Sequence, residues 1–181
     1  VKFLVASAVF RDGLAGVFTF GGVLAAGSFG FSPGGVIIFG VAANVVAGVA
    51  TILFGFLDDY LGPKRVIVIA LSSMIVAGAC VFLFHDGGKT MFWIFGLVLC
   101  LFVGPAQSSA RTFLARLTPP GREGQMFGLY ATTGRAVSFL APTLFGFFAW
   151  WFGTDRAGIV GLLIVLAGGL VALLAVRSPE P

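Results

Sequence analysis

The amino-acid sequence predicts an all-α integral membrane protein, built as a bundle of six transmembrane helices. Of its 181 residues, 59% are hydrophobic and only 10% are charged, and the mean hydropathy is +1.08. A soluble domain carries charge on about a quarter of its residues. The few charges of this chain cannot cover a water-exposed surface. The apolar runs are continuous and lack the alternation of a transmembrane β-barrel. Lipid is therefore the expected solvent for most of the chain.

Six apolar runs are long enough to cross a membrane, which requires about 20 helical residues for a ~30 Å hydrocarbon core. Residues 13–57 carry no charge but are too long for one span, and the glycines, serines and Pro33 within 27–35 divide them into two. Two further runs, 66–84 and 90–110, are also uncharged, the fifth contains only Arg135, and the uncharged run of the sixth ends at Val176. We predict one domain, residues 1–181, with spans at 3–26, 34–57, 66–84, 90–112, 125–152 and 157–177.

The distribution of basic residues favours a cytoplasmic N-terminus, because cytoplasmic loops carry an excess of Lys and Arg. With this orientation the cytoplasmic side receives seven of them: Lys2, Lys64, Arg65, Arg111, Arg116, Arg122 and Arg177. The opposite side receives only two, Lys89 and Arg156. Aromatic residues agree, since the outer interface would contain Trp93, Trp150 and Trp151 and the inner one Tyr60 and Tyr130. Both ends of the chain are expected in the cytoplasm.

Glycine is abundant, with 27 residues, and small residues let membrane helices approach closely. The positions expected at such contacts are Gly40, Gly48 and Gly55 on the second span and Gly161, Gly168 and Gly169 on the sixth.

Apart from Arg111 and Arg177 at span ends, three charged residues lie inside predicted spans: Arg11, Asp12 and Arg135. Each costs about 2.5–3.5 kcal/mol at a helix centre on insertion scales, so such residues face the protein interior or a water-filled path. We expect Asp12 and Arg135 to border a transport pathway and to form an ion pair in at least one state, against the alternative of a purely structural role. Arg11 either joins the pathway or extends to the inner membrane interface.

Uncharged polar residues within the spans add weaker candidates for the pathway, Asn44 and Gln107. The alternative for such residues is a local bond to the backbone of their own helix. Gly104-Pro105 removes a backbone hydrogen bond and is expected to kink the fourth span close to Gln107.

Other functional classes find little support in the sequence. The basic residues lie between apolar runs and not on one face, which argues against nucleic-acid binding. Cys80 and Cys100 lie deep in apolar runs and predict neither a disulfide nor a metal site. Asp58 and Asp59 have no third carboxylate nearby, and His85, the lone histidine, is expected to be a solvated loop residue. We therefore expect no enzyme, no metal and no cofactor.

The loop after the second span resembles a motif of major facilitator superfamily transporters. Residues 55–65, GFLDDYLGPKR, resemble G-x-L-x-D-R-x-G-R-K, which that superfamily carries between helices two and three and, more loosely, between eight and nine. The matching residues are Gly55, Leu57, Asp59, Gly62 and Lys64. Tyr60 and Pro63 depart from it. The resemblance implies a cytoplasmic gate closed by a charge cluster, to which we also assign Arg111.

Two further stretches resemble the UMF1, or vacuole-effluxer Atg22-like, branch of that superfamily. They are 10–13, FRDG, and 107–130, QSSARTFLARLTPPGREGQMFGLY, with Gln125 where the branch usually has glutamate. The resemblance implies that the six spans are helices seven to twelve of a twelve-helix major facilitator fold. It also implies secondary active transport of a small solute by alternating access, with amino-acid efflux in the fungal branch.

The resemblance also implies partners. They are a small-molecule solute, a coupling proton or cation, the lipid bilayer and an N-terminal six-helix half, which we expect to be absent from this chain because it opens at Val1 without an initiator methionine. The expected location is the plasma or inner membrane of a bacterium or the vacuolar membrane of a fungus. A membrane sensor or scaffold with a transporter fold and no flux is the alternative.

Overall fold

The computed structural model describes residues 1–178, and this part of the chain forms eight α-helices and no strand. The helices are α1 Lys2–Gly27, α2 Pro33–Leu61, α3 Pro63–Leu83, α4 Gly88–Leu101, α5 Val103–Leu117, α6 Glu123–Ala136, α7 Leu140–Phe152 and α8 Gly158–Leu174. Short 3-10 turns, His85–Gly87 and Asp155–Ala157, precede α4 and α8. The predicted all-helical membrane fold is confirmed.

The bounds of α2 follow from local chemistry at its two ends. At the start, the Ser32 hydroxyl accepts a hydrogen bond from the Gly35 amide at 3.1 Å, and Pro33 takes the first helical position, where no amide donor is needed. At the end, Gly62 adopts a φ of +84°, which a residue with a side chain rarely adopts, and Pro63 opens α3. The backbone conformation of this turn therefore explains why glycine stands at position 62 of the loop motif.

Five helical stretches are long and apolar enough to cross a membrane: Lys2–Gly27, Pro33–Leu61, Pro63–Leu83, His85–Leu117 and Asp155–Leu174. They coincide with five of the six predicted spans. The predicted fifth span, 125–152, is instead divided into α6 and α7, of 14 and 13 residues. Each is too short to cross the hydrocarbon core alone, so the count of six spans stays a prediction.

Both interrupted stretches break just before a proline. In the fourth span α4 ends at Leu101 and α5 begins at Val103. Gly104-Pro105 follows within the first turn of α5. In the fifth, residues 137–139 separate α6 from α7, and Pro142 follows. A proline lacks the amide that bonds the carbonyl four residues earlier, and its ring clashes with that carbonyl. The first break lies where the sequence predicts a kink, whereas the second was not expected.

The core of the bundle lies where α1 and α3 pack against α8. Phe10, Leu14, Met74 and Leu166 are fully buried there. The other neighbours of α1 include α6 and α7, and α2 packs against α4 and α5. Both halves of the interrupted fifth span thus contact α1.

The expected glycine contacts are present on α8 but not on α2. A Cβ atom at Gly169 would lie 2.5–2.8 Å from Phe10 atoms, including backbone, and one at Gly161 would lie 2.6 Å from the Leu144 carbonyl. Gly168 has only an ordinary contact at 4.0 Å. The expectation is wrong for the second span, because no atom lies within 4 Å of the Cβ positions at Gly40, Gly48 and Gly55. Those three glycines lie on the open face of α2.

Two helices leave much of their surface exposed, and the two surfaces differ in chemistry. On α2 the exposed side chains are mostly apolar, among them Ile37, Val41, Val45 and Ile52. On α6 only Tyr130 is buried, and the exposed residues include Gln125, Thr132 and Arg135. A polar exposed helix next to an apolar bundle is the arrangement expected beside a water-filled path.

Candidate transport site

Asp12 is buried on α1, with 7% of its surface exposed, and caps the start of α7. Its Oδ2 accepts a hydrogen bond from the Ala141 amide at 2.6 Å, whereas the Leu140 amide donates to the Val137 carbonyl at 3.1 Å. The first amides of a helix have no partner within that helix, and the helix dipole favours a negative charge at this end. The break before Pro142 thus creates a free donor at Ala141, and Asp12 satisfies it.

The structure differs from the expected ion pair between Asp12 and Arg135. Arg135 is exposed in the last turn of α6. Within residues 1–178 no Lys or Arg side chain lies within 4 Å of an Asp or Glu carboxylate, and the one contact of a histidine with an acid joins His85 and Asp86, at 3.2 Å. The break after α6 frees the Ala141 amide, which takes the place of Arg135 as the partner of Asp12.

Arg11 extends from α1 to α6. Its Nη1 donates to the Tyr130 carbonyl at 3.0 Å, and its Cζ lies 3.9 Å from the centre of the Tyr130 ring. Gly134 leaves room for the guanidinium, since a Cβ there would lie 2.8 Å from Nη1. Tyr130 is only 5% exposed, so it packs inside the bundle, and its expected position at the inner interface stays a prediction. Its ring stacks under Arg11 as a cation–π partner.

The remaining pathway candidates do not join this group through a direct contact. Asn44 is exposed on α2 and donates to the Gly40 carbonyl of its own helix at 2.8 Å. Gln107 is half-buried on α5, one turn before the exposed Arg111. The charge of Arg111 acts on the Tyr130 phenol together with that of Arg11. The structure therefore brings Arg11, Tyr130 and Arg111 near one another.

The loop motif brings several of its predicted residues together. Asp59, Gly62 and Lys64 line an open groove of about 350 Å³ with Arg65 and Arg116. Lys64 also donates to the Val176 carbonyl just after α8, which ties the loop to the last helix. The other two predicted gate residues, Gly55 and Arg111, do not line this groove.

A second acid, Asp58, was missed by the motif comparison. Asp58 is 6% exposed and accepts a hydrogen bond from the Ser109 hydroxyl of α5 at 2.7 Å, whereas Asp59 is exposed. Helical spacing provides a signal that would have found it. Asp58 continues the buried stripe of Ala43, Ala47 and Ala50, which repeats every three or four residues on one face of α2.

On the opposite end of the bundle, His85 connects two turns. Its Nδ1 contacts Arg156 of the α7–α8 turn as well as Asp86. The guanidinium of Arg156 also lies 4.9 Å from the Phe82 ring. His85 is thus a loop residue whose side chain stays 37% exposed while it connects the two turns. Within residues 1–178 no group of three His, Cys, Asp or Glu residues lies close enough to hold a metal ion.

Comparison with known proteins shows what this chain is similar to. The model of the family described as vacuole effluxer Atg22 like matches residues 1–180. An uncharacterized MFS-type transporter, YxiO of Bacillus subtilis (strain 168), is 24% identical over 94% of this chain and 39% of its own length. Autophagy-related protein 22 of Coccidioides immitis (strain RS) is 30% identical over 74% of this chain and 25% of its own.

A shorter and more similar match is autophagy-related protein 22 of Cryptococcus neoformans (serotype D, strain B-3501A), which is 39% identical over 40% of this chain and 12% of its own length. The chain therefore spans 39% or less of the length of these curated relatives.

Proposed function

This chain belongs to the vacuole effluxer Atg22 like family, and we propose that it forms one half of a major facilitator transporter that moves a small solute by alternating access. The observation that carries the proposal is the interrupted fifth span, whose restart at Leu140 is capped by the buried Asp12. Broken helices within the membrane are common where transporters bind solutes and ions. A break there requires partners for its free backbone groups, and Asp12 supplies one.

The proposed pathway follows the polar surface of α5 and α6 and the charged residues of α1. Its members are Asp12, Arg11, Arg135, Gln107 and Asn44. The missing wall would come from an N-terminal six-helix half in the same protein, which agrees with the share of the relatives that this chain covers. A coupling proton or cation and the surrounding lipid are the other proposed partners.

The proposed cytoplasmic gate is the loop between α2 and α3. Its residues are Gly55, Asp59, Gly62, Lys64 and Arg111, to which we add Asp58 because its bond to Ser109 holds α2 against α5. Opening of the cytoplasmic side requires these contacts to change.

The finer proposal is efflux of amino acids, with no bond-making chemistry. It is supported by the family description, which names an effluxer, and by the sequence resemblance. We place the protein in a plasma or inner membrane if bacterial and in a vacuolar membrane if fungal, with both ends of this segment cytoplasmic.

Accessibility from both sides of the membrane tests alternating access in the full-length protein. A single cysteine in place of Gln107 should react with impermeant thiol reagents added from either side, in proportions that change when solute is added. Val76, which is 63% exposed on the apolar surface of α3, provides the control: a cysteine there should react from neither side. Labelling of Gln107→Cys from one side only, unchanged by solute, would contradict the proposal and favour a sensor without flux.

A further inference from the structure

Arg11 has more hydrogen-bond donors than its protein partners use. A guanidinium carries five N–H donors, and the contact to the Tyr130 carbonyl uses Nη1. Within residues 1–178 no buried side-chain nitrogen or oxygen lacks a partner. The other nitrogens of Arg11 have no protein partner, so they must reach open space beside α6.

The charge of Arg11 is not balanced by a nearby carboxylate. Asp12, its neighbour in sequence, directs its carboxylate to the Ala141 amide at the start of α7, and adjacent helical residues point about 100° apart. Within the described part of the chain no acid lies within 4 Å of Arg11. The other charge in range of Tyr130 is the positive Arg111. One cation, Arg11, therefore lies on a buried aromatic ring, and the exposed Arg111 adds a second positive charge in its vicinity.

The Tyr130 ring and Gly134 fix the position of this cationic group. The ring lies 3.9 Å below the guanidinium carbon, and the absence of a side chain at Gly134 allows the guanidinium to lie against α6. A guanidinium held in this way presents two parallel donors, the geometry that recognises carboxylate or phosphate oxygens in a bidentate manner. The backbone contact to Tyr130 leaves that edge free.

We propose that Arg11, held on Tyr130 and assisted by Arg111, binds the anionic group of the transported solute, a carboxylate or a phosphate. The inference rests on the proposed function, because it assigns a substrate class to the same pathway. Partial removal of the Arg11 guanidinium from water inside a membrane protein is costly, and an anion that binds it offsets that cost. Solutes without a negative group would be rejected because they leave the donors of Arg11 unpaired.

Ligand-induced thermal stabilisation of the purified full-length protein tests this site without any requirement for flux. The probes are L-leucine, L-leucinamide, which lacks the carboxylate, and inorganic phosphate, each at matched ionic strength. The buried or half-buried Cys80 and Cys100 allow unfolding to be followed with a thiol-reactive dye. We expect L-leucine or phosphate, but not L-leucinamide, to raise the melting temperature by about 2 °C or more. Whichever anion is active identifies the source of the negative group.

Variants separate binding from a structural role of Arg11. Arg11→Gln and Arg111→Gln should weaken the apparent affinity at least about ten-fold, and Arg11→Lys should weaken it because a single ammonium cannot replace the planar fork. Arg177→Gln, an exposed residue beyond α8, removes the same charge and should leave the response unchanged. If Arg11→Gln does not fold, the Arg111→Gln variant still tests the site, because Arg111 is exposed.

Three outcomes would overturn the site: no anion-specific shift in the wild type, a shift that persists in both glutamine variants, or an equal loss in Arg177→Gln. The first is also the result expected if an acid of the other half pairs with Arg11. Solute flux without anion dependence would refute this site and leave the proposed transport intact. Anion binding without flux would retain the site and refute transport.

Discussion

Arg11 and Asp12 are neighbours of opposite charge that act on different helices. The side chain of Arg11 reaches α6 through Tyr130, and that of Asp12 reaches the first turn of α7. Their divergence follows from the 100° rotation between adjacent helical residues. One turn of α1 thereby holds both halves of the interrupted span, which gives a structural reason for the Phe10-Arg11-Asp12-Gly13 sequence.

Asp12→Ala should destabilise the full-length protein by about 1–3 kcal/mol, because the Ala141 amide loses its buried acceptor. Asp12→Asn should cost less, since its amide oxygen still accepts a hydrogen bond. Thermal unfolding in detergent measures both. The matched control is Asp59→Ala, which removes an exposed acid and should change the melting temperature little.

The rival account of Asp12 is the ion pair with Arg135, and a double-mutant cycle distinguishes the two. With Asp12 as a helix cap, the effects of Asp12→Asn and Arg135→Gln on stability should add. A double variant that is clearly more stable than the sum of the single changes would instead support pairing.

At the residue scale the apolar runs predict the burial of Asp12, but neither its partner nor the burial of Asp58, and Arg135 is exposed. Placement of Asp12 within an apolar run indicates burial, because exposure to lipid is costly. Its partner depends on the break before Pro142, which was not recognised as a helix break. Likewise, alignment to a loop motif selected Asp59, although the helical face shared with Ala47 and Ala50 buries Asp58.

At the scale of helices, apolar length predicted α1, α2, α3 and α8 to within a few residues. Length and composition suffice there because every side of a membrane helix is apolar. The same reasoning does not tell which face of a helix packs against a neighbour. Apolar length therefore predicts the same close packing for the glycines of α2 and α8, although only glycines of α8 lie against the backbone of a neighbouring helix.

Gly169 and Gly168 offer a matched pair for the contact between α1 and α8. Gly169→Ala should destabilise the protein by about 1–3 kcal/mol, because the new methyl group would meet the Phe10 backbone at 2.8 Å and the helices would have to separate. Gly168→Ala has room and should be neutral or slightly stabilising, since alanine favours helix. Equal melting temperatures for the two variants would contradict this packing.

At the scale of the whole molecule, orientation rests on the bias of seven basic residues against two. Single cysteines at exposed loop positions test it in a background without Cys80 and Cys100. Asp86 has a 91% exposed side chain and Tyr60 is 87% exposed. Labelling at these two positions therefore depends on the side of the membrane and not on burial in the protein. An impermeant thiol reagent added outside cells should label Asp86→Cys and not Tyr60→Cys. The reverse pattern would invert the assigned topology.

Solute counterflow in liposomes measures whether this chain is part of a transporter. Full-length protein in liposomes preloaded with unlabelled solute should accumulate external labelled solute transiently above its equilibrium level. The solutes are amino acids first, and then phosphate and small carboxylates. Protein-free liposomes provide the background. Accumulation for at least one anionic solute is the predicted result. No accumulation above background for any of them, in protein that still shows a cooperative unfolding transition, would contradict the account.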